Sequence, residues 1–457
     1  MRRPIEDASG FRGAASRFAA PASVDELAAL VRDAAHEGAP VTIAGALTGV
    51  TGGAIPATDS APDWLISTER LRALRIQGAR AVAGAGVSLE AVHEAAARSG
   101  QFYAPDPTEW LASVGGSIAT NASGSRSFRY GSTRRYVMAL TAVMASGEVR
   151  RFQRGDAIDF DVPAIPLPRT TKNTAGYALA PGMDWIDLIA GSEGTLAIVA
   201  EAELALLAAP GELITGVVFF PDEDGAAAAV DQWRGISNLR MLEFMDAASL
   251  DLIRPRFGEA PPASAAILYE QETAGADAAE EIDGWIERIE QTGADPEVAW
   301  LAASARDRER FRRFRHALPE AVNDTVRRNG FMKLGSDYAV PIERNREMLA
   351  AYRARLDGEF RGRYAIFGHI GDAHVHVNIL PGSTEEFERG KLAMVDLART
   401  AVALGGTVSA EHGLGKRKRA LLEIQYAPQH VEAMRAVKQR LDPDWRLGRG
   451  TLFAPPA

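Results

Sequence analysis

At 457 residues the chain exceeds the length at which a single hydrophobic core keeps growing, so two or more domains are predicted, and 24% charged with 46% hydrophobic residues exclude both a disordered chain and a membrane span. Sixty acidic against 51 basic residues, a net charge of -9, argue against a nucleic-acid-binding face, with the basic run Arg306 to Arg315 left as a local substrate or partner surface. The absence of cysteine excludes disulfides, thiolate zinc sites, cysteine nucleophiles and iron–sulfur clusters within this chain, so any iron–sulfur relay belongs to another subunit.

The opening MRRPIEDASGFRG has Arg2 and Arg3 but no apolar run behind them, so it does not read as a signal peptide. The expected location is the cytoplasm, with peripheral membrane association left open. Ser23 with Glu26 forms a capping-box signal, and Val24, Leu27, Ala28 and Val31 recur at helical spacing up to Gly38. Pro40 to Ile43 then reads as a strand breaking into the glycine turn Gly45 to Ala54. Such a turn aims backbone N–H groups at one spot and suits a diphosphate without a lysine. Gly84-Ala85-Gly86 before Leu89 to Arg98 lacks the third glycine of a dinucleotide fingerprint, so it is a strand-to-helix turn and no NAD is expected.

The stretch PDPTEWLASVGGSIATNASGSRSFRYGSTRRYV, Pro105 to Val137, is almost free of bulky core formers between Ser113 and Gly131. Its glycines allow close backbone approach to something flat or charged, and Thr120, Asn121 and the serines add short hydrogen-bonding groups. Met138 to Arg151 reads as a hairpin turning at Ser146-Gly147, followed by KNTAGY (172–177) and GSEGTLAIV (191–199). Ala208, Pro210 and Gly211 mark a domain boundary. Beyond it, strand-like Ile214 to Phe220 and Ala265 to Glu270 alternate with helical Ala278 to Gln291 and Ile342 to Leu356. This is an α+β pattern suited to a sheet covered by helices on one face.

FGHIGDAHVHVNI, Phe367 to Ile379, holds three of the eight histidines. His374 and His376 share a strand face, and a turn at Gly371-Asp372 would fold His369 back beside His376. A capped helix from Ser383 and strand-like Thr407 to Ser409 lead to SAEHGLGKRK, whose Glu411 would join two imidazoles in a zinc or manganese site. Helical Ala427 to Leu441 closes the chain.

VGGSIATNASGSRSFRYGST is similar to the isoalloxazine and pyrophosphate contact segment of the FAD-linked oxidases of the vanillyl-alcohol oxidase/p-cresol methylhydroxylase (PCMH) superfamily, in the D-lactate, glycolate and D-2-hydroxyglutarate dehydrogenase branch. The likeness runs over nearly the whole chain in order. It implies an α+β, two-domain fold: an FAD-binding PCMH-type domain at 1–208, a substrate domain at 209–425, and a helical tail at 426–457 returning to the FAD domain. FAD contacts would fall on Gly45, Ala46, Leu47, Thr48, Gly49, Pro105, Gly115, Gly116, Ser117, Ala119, Thr120, Asn121, Gly131, Gly194 and Ile198, with KNTAGY and GSEGTLAIV closing the adenine and ribose end. Ala44 and Leu47 stand where relatives often carry arginine and glycine, Ala373-His374 where they usually carry Gly-Asn, and Gly448-Arg449 where they usually carry asparagine and proline.

The resemblance further implies a divalent metal on His369, His376 and Glu411, His412 as general base, and Arg315 as the grip on a substrate carboxylate, for which a guanidinium is suited. Lys333 matches a second anion-binding position, and Asn378 shares a face with His376. The implied activity is oxidation of a D-2-hydroxy acid to the 2-oxo acid by hydride transfer to flavin N5. Electrons would pass to a quinone, a flavoprotein or an iron–sulfur subunit. Two other readings are a redox-silent FAD-binding subunit of a larger oxidase complex and an alcohol or sugar oxidase on the same fold. A metal matters because proton transfer from an alcohol of pKa about 16 to an imidazole of about 6.5 is uphill by roughly 12 kcal/mol, and zinc can lower bound water to about 7.

Overall fold

The computed structural model describes residues 3–56, 63–273, 278–302 and 304–455; Arg2 lies outside them. In the first half, the Val24–His36 helix starts as its sequence requires: the Ser23 hydroxyl accepts the Glu26 N–H, and the Glu26 carboxylate accepts the N–H of Ala22, one residue short of a closed capping box. Its apolar stripe, Leu27, Ala28, Val31 and Ala34, is wedged between two sheets. On one side is a parallel three-stranded sheet ordered Arg17–Ala19, Trp64–Ser67, Val41–Ala44. On the other is an antiparallel sheet ordered Val149–Gln153, Val137–Met144, Ala197–Ala205, Arg80–Gly84, Leu74–Gln77. The predicted Met138 hairpin and the Gly84–Gly86 strand-to-helix turn are both present.

The second half is built on an antiparallel seven-stranded sheet ordered Trp300–Leu301, Leu213–Phe220, Ala265–Glu272, Leu239–Asp246, Tyr364–His369, His374–Ile379, Leu334–Gly335. Helices cover both faces, where the pattern predicted one. Val218 and Phe220 pack with Trp233 and Trp285 of the Glu223–Trp233 and Ala278–Gln291 helices. Val217 and Phe219 pack on the other side with Phe311 and Phe314 of the Ala305–Arg328 helix and Leu250 of the Ala247–Ile253 helix. The reason is in the strands: LITGVVFF and AAILYEQE are buried at nearly every position, where a sheet with one wet face would alternate.

Thr407 to Ser409 makes only an isolated bridge to Ala339, not a strand. The tail returns to the first half: after the Pro428–Leu441 helix, the Val41 N–H donates to the Arg446 carbonyl at 2.8 Å and the Gly448 N–H donates to the Val41 carbonyl at 2.9 Å. Among the described residues no helix is long and apolar enough to cross a membrane.

Candidate active site

The Tyr364–His369 and His374–Ile379 strands pair with His369 opposite His374 and Phe367 opposite His376. Residues directly opposed in an antiparallel pair share a face, so all three imidazoles look the same way. Their ring centroids lie 5.5 Å (His369–His376) and 4.5 Å (His374–His376) apart. The turn is a short 3-10 segment, Ile370–Asp372, closed by Ala373 in the left-handed region at φ 51°.

Glu411 Oε1 is the point on which three imidazole Nε2 atoms converge, at 3.1 Å from His369, 3.4 Å from His376 and 3.8 Å from His412. The other nitrogens fix the tautomers. His376 Nδ1 lies 3.1 Å from the Ser336 carbonyl, which can only accept, so Nδ1 donates. His369 Nδ1 lies 2.5 Å from Glu243 Oε1. Burial pushes the Glu243 carboxyl up, but Arg315 and His369 outweigh it and hold it down to about 2, so it accepts. With Nδ1 protonated, the Nε2 atoms of His369 and His376 face a carboxylate oxygen across a gap that a second imidazole proton, which Glu243 and Glu411 favour on His369, or a metal cation fills. This donor set, each imidazole backed by an acceptor, fits a divalent metal.

His374 belongs to the same cluster of potential ligands, within 4.8 Å of the others, but both its nitrogens are engaged. Lys172 Nζ, 3.4 Å from His374 Nδ1, can only donate; His374 Nε2 therefore donates to Asp337 Oδ1 at 3.1 Å. Burial, with His376 and Lys172 alongside, pushes this imidazole down to about 3 and keeps it neutral. The buried Lys172 also lies 3.2 Å from Glu411 Oε2 and 3.4 Å from Asp372. Burial opposes its charge, yet Glu411, Asp372 and Glu243 lift it above the ordinary lysine value. Ser123 donates to Glu411 Oε2 at 3.0 Å.

Asp337 orients His412. Its Oδ2 accepts the backbone N–H groups of Glu411 and His412 at 3.2 and 2.8 Å, and its Oδ1 lies 3.4 Å from His412 Nδ1. The nearby Asp337 carboxylate favours the proton on Nδ1, which leaves the His412 lone pair on Nε2. Burial pushes the ring down to about 4 against the pull of Asp337, so it carries no extra proton at neutral pH.

Two cavities meet at this cluster and share Val50, Thr108, Glu411 and His412. The larger, ≈ 1620 Å³, is walled by Gly45, Ala46, Leu47, Thr48, Gly49, Gly115, Gly116, Ser117, Ala119, Thr120, Gly194 and Ile198. Among the described residues no lysine or arginine lines it, so a bound diphosphate depends on backbone N–H groups. A Cβ at Gly49 or Gly194 would meet no protein atom within 4 Å, which leaves the backbone there open to a ligand. The chain thus fits a dinucleotide. The smaller cavity, ≈ 950 Å³, contains Arg315, Lys333, Asn378, Arg417 and Lys418 with Phe244, Met245 and Phe367.

Three predicted cofactor contacts do not line the larger cavity: Pro105, Asn121 and Gly131. Asn121 instead turns its carbonyl to the Arg134 N–H at 2.8 Å. Gly131 follows the Ser127–Tyr130 helix, in a segment that faces the second half of the chain: Arg126 pairs with Glu270 (2.8 Å) and Asp106 (3.1 Å), and Ser127 bonds Asp372 (2.6 Å). The glycine-rich stretch therefore divides, its Val114–Ala119 helix walling the cavity and its second part docking the halves. None of the KNTAGY residues lines the larger cavity; Lys172 enters the histidine cluster, and Asn173 and Thr174 bond Thr407 and Ser409. Sequence reasoning missed Lys172, Glu193, Glu243 and Asp337. Glu243 had a signal, a carboxylate in the otherwise apolar LEFM of a strand buried throughout.

A dinucleotide-sized cavity opening onto a cationic pocket at a base and a candidate metal set is the layout of a two-domain, cofactor-dependent oxidoreductase. Comparison with known proteins agrees. The model of the FAD binding domain matches residues 15–153 and that of the FAD linked oxidases' C-terminal domain matches 210–452, and the chain belongs to this FAD-linked oxidase family. It is similar to a D-2-hydroxyglutarate dehydrogenase of Xanthomonas citri pv. viticola (31% identical, covering 95% of this chain and 89% of the relative). It is equally similar to a D-lactate dehydrogenase of Archaeoglobus fulgidus (31%, 94% and 89%). In fold it resembles a solved alkyldihydroxyacetonephosphate synthase (TM-score 0.71, 15% identity, 96% of this chain and 76% of that one).

Proposed function

We propose that the protein oxidises a D-2-hydroxy acid, of the lactate, glycolate or 2-hydroxyglutarate type, to the 2-oxo acid with FAD as acceptor. The observation that carries this reading is the position of His412: at 31% exposure the most open side chain of the cluster, it stands where the two cavities meet. In this reading residues 1–208 hold the cofactor, 209–425 hold the substrate, and the 426–457 tail closes back on the cofactor half.

Arg315 takes the substrate carboxylate. Glu243 holds its Nε at 2.7 Å and Nη2 reaches the Thr108 hydroxyl at 3.5 Å, a long bond that a carboxylate on the Nη edge would replace or share. Both amide atoms of Asn378 are buried with no hydrogen-bond partner, a cost that a bound hydroxyl or carboxylate relieves. Lys333, pushed down to about 8 by burial and by Lys418, has no carboxylate partner among the described residues and adds positive potential. His412 Nε2 accepts the hydroxyl proton. Bound FAD supplies the two-electron acceptor for the hydrogen that leaves C2. Zinc or manganese on His369, His376 and Glu411 would supply the Lewis acid that brings the hydroxyl within reach of an imidazole base. The electrons then leave for a quinone, flavoprotein or iron–sulfur subunit, in the cytoplasm or at the membrane surface.

Anaerobic titration of the flavin-loaded protein with a panel of D- and L-2-hydroxy acids tests the reading. D-acids are expected to bleach the flavin absorbance and L-acids to leave it. Chelation is expected to abolish bleaching, and zinc or manganese to restore it. If no D-acid bleaches the flavin the activity is wrong; full turnover in metal-free protein removes the ion alone.

A further inference from the structure

Residues 411–417, EHGLGKR, carry Glu411 and His412 but form no helix or strand, so their backbone N–H groups need partners from elsewhere. Every one has such a partner. Glu411 and His412 donate to Asp337 (3.2 and 2.8 Å), Gly413 to the Thr174 hydroxyl (3.1 Å), Leu414 and Gly415 to the two oxygens of Glu193 (2.8 Å each), and Lys416 and Arg417 to the Thr51 carbonyl (3.0 Å each). Thr51 and Glu193 both line the dinucleotide cavity. The chemistry-bearing loop is thus seated on the wall of the cofactor site.

Glu193 is the centre of that seat. It is buried, and it holds φ 53°, a left-handed backbone that side-chain-bearing residues rarely adopt. The fit leaves no slack: a Cβ on Gly413 would stand 2.7 Å from Glu193 Cδ, and one on Gly415 would stand 2.1 Å from the Thr51 carbonyl oxygen. The mechanism above does not use Glu193; burial pushes its carboxyl up to about 7, against the Leu414 and Gly415 N–H groups and Lys416, which favour the charged form. What it does hold is the turn immediately after His412.

We propose that Glu193 is a positioning residue for the reaction: from the wall of the cofactor cavity its carboxylate clamps the Leu414 and Gly415 amides and so sets where His412 points relative to bound FAD. This rests on the function proposed above.

The test is Glu193→Gln, which keeps the shape but turns an amide nitrogen toward one of the two N–H groups; Glu193→Ala is the second variant. Amide hydrogen exchange over 411–417 and anaerobic flavin reduction by the most effective D-acid are measured on flavin-loaded protein. Exchange at Leu414 and Gly415 is expected to quicken about tenfold or more, and the limiting reduction rate to fall roughly 10- to 100-fold, as for a misplaced base. Bound flavin and the half-saturating substrate concentration should stay within about twofold, which a general loss of structure would not allow. Parental exchange and rate in either variant, or loss of flavin with the rate per bound flavin intact, would overturn the clamp. If no hydroxy acid reduces even the parent flavin, the proposed activity fails, while the exchange readout still decides whether Glu193 seats the loop.

Discussion

His412 draws its chemistry from neighbours distant in the chain. Asp337, 75 positions earlier, takes its main-chain N–H and faces its Nδ1, so the ring is turned and its tautomer chosen by one carboxylate. His412→Ala is expected to keep the yellow, FAD-bound protein, because the cavity wall is mostly backbone and small side chains, and to lose flavin bleaching by roughly 100-fold or more. Stopped-flow absorbance of the anaerobic mixture checks this; unchanged bleaching removes His412 from the mechanism. Glu411 could be picked out in the sequence as a carboxylate to join a three-histidine hairpin, and His412 through the family resemblance alone. Lys172 and Asp337 could not, since a lone lysine or aspartate in a loop has the same local signature whether it faces water or, as here, is fully buried among charges.

Among the elements, the histidine hairpin shows how a turn determines a site. Four residues, Ile370 to Ala373, join the strands and set the register that places His369 opposite His374. Ala373 closes the turn at φ 51°, where a Cβ costs about 1 kcal/mol that glycine does not bear. Ala373→Gly is expected to stabilise the protein by up to about 1 kcal/mol, less the added entropy of the unfolded glycine, without moving the imidazoles. A thermal melt measures the shift, and a lower melting temperature would show that the buried Ala373 methyl contributes more by packing than it costs in the turn. The hairpin itself was legible from the spacing of Gly371-Asp372 between apolar runs. The fate of the Ser113–Gly131 stretch was not: small residues allow close approach both to a cofactor and to another domain, and composition does not say which.

At the scale of the molecule, the two halves are joined by the ion pairs Arg126–Glu270 and Lys172–Asp372, and Asp106 holds Arg126 from within the first half. Burial pushes the Asp106 carboxyl up, but Arg126, His93 and the Trp110 N–H outweigh it and hold it down to about 2. A carboxyl depressed by folding contributes stability above its unfolded value near 3.8, and that contribution is lost as pH falls through the folded value. The protein is therefore expected to lose about 2 kcal/mol from this group between roughly pH 4 and pH 2. Denaturant titration across that range checks it, and Asp106→Asn should flatten this part of the pH dependence; an unchanged acid slope would show that the pair is not coupled to folding.

The sequence by itself determined the local structure: where helices are capped, where glycine turns end strands, and that histidines and a carboxylate were at hand for redox chemistry. Those features depend on neighbours a few residues away, so periodicity and turn chemistry reveal them. Only the tertiary structure decided that helices cover both faces of the large sheet, that Lys172 sits among the histidines, and that Glu193 holds a loop 221 residues further on. Single hydrogen bonds between remote segments leave no period in the chain; they exist because burial obliges each polar group to find a partner, and the fold alone determines which partners lie within reach.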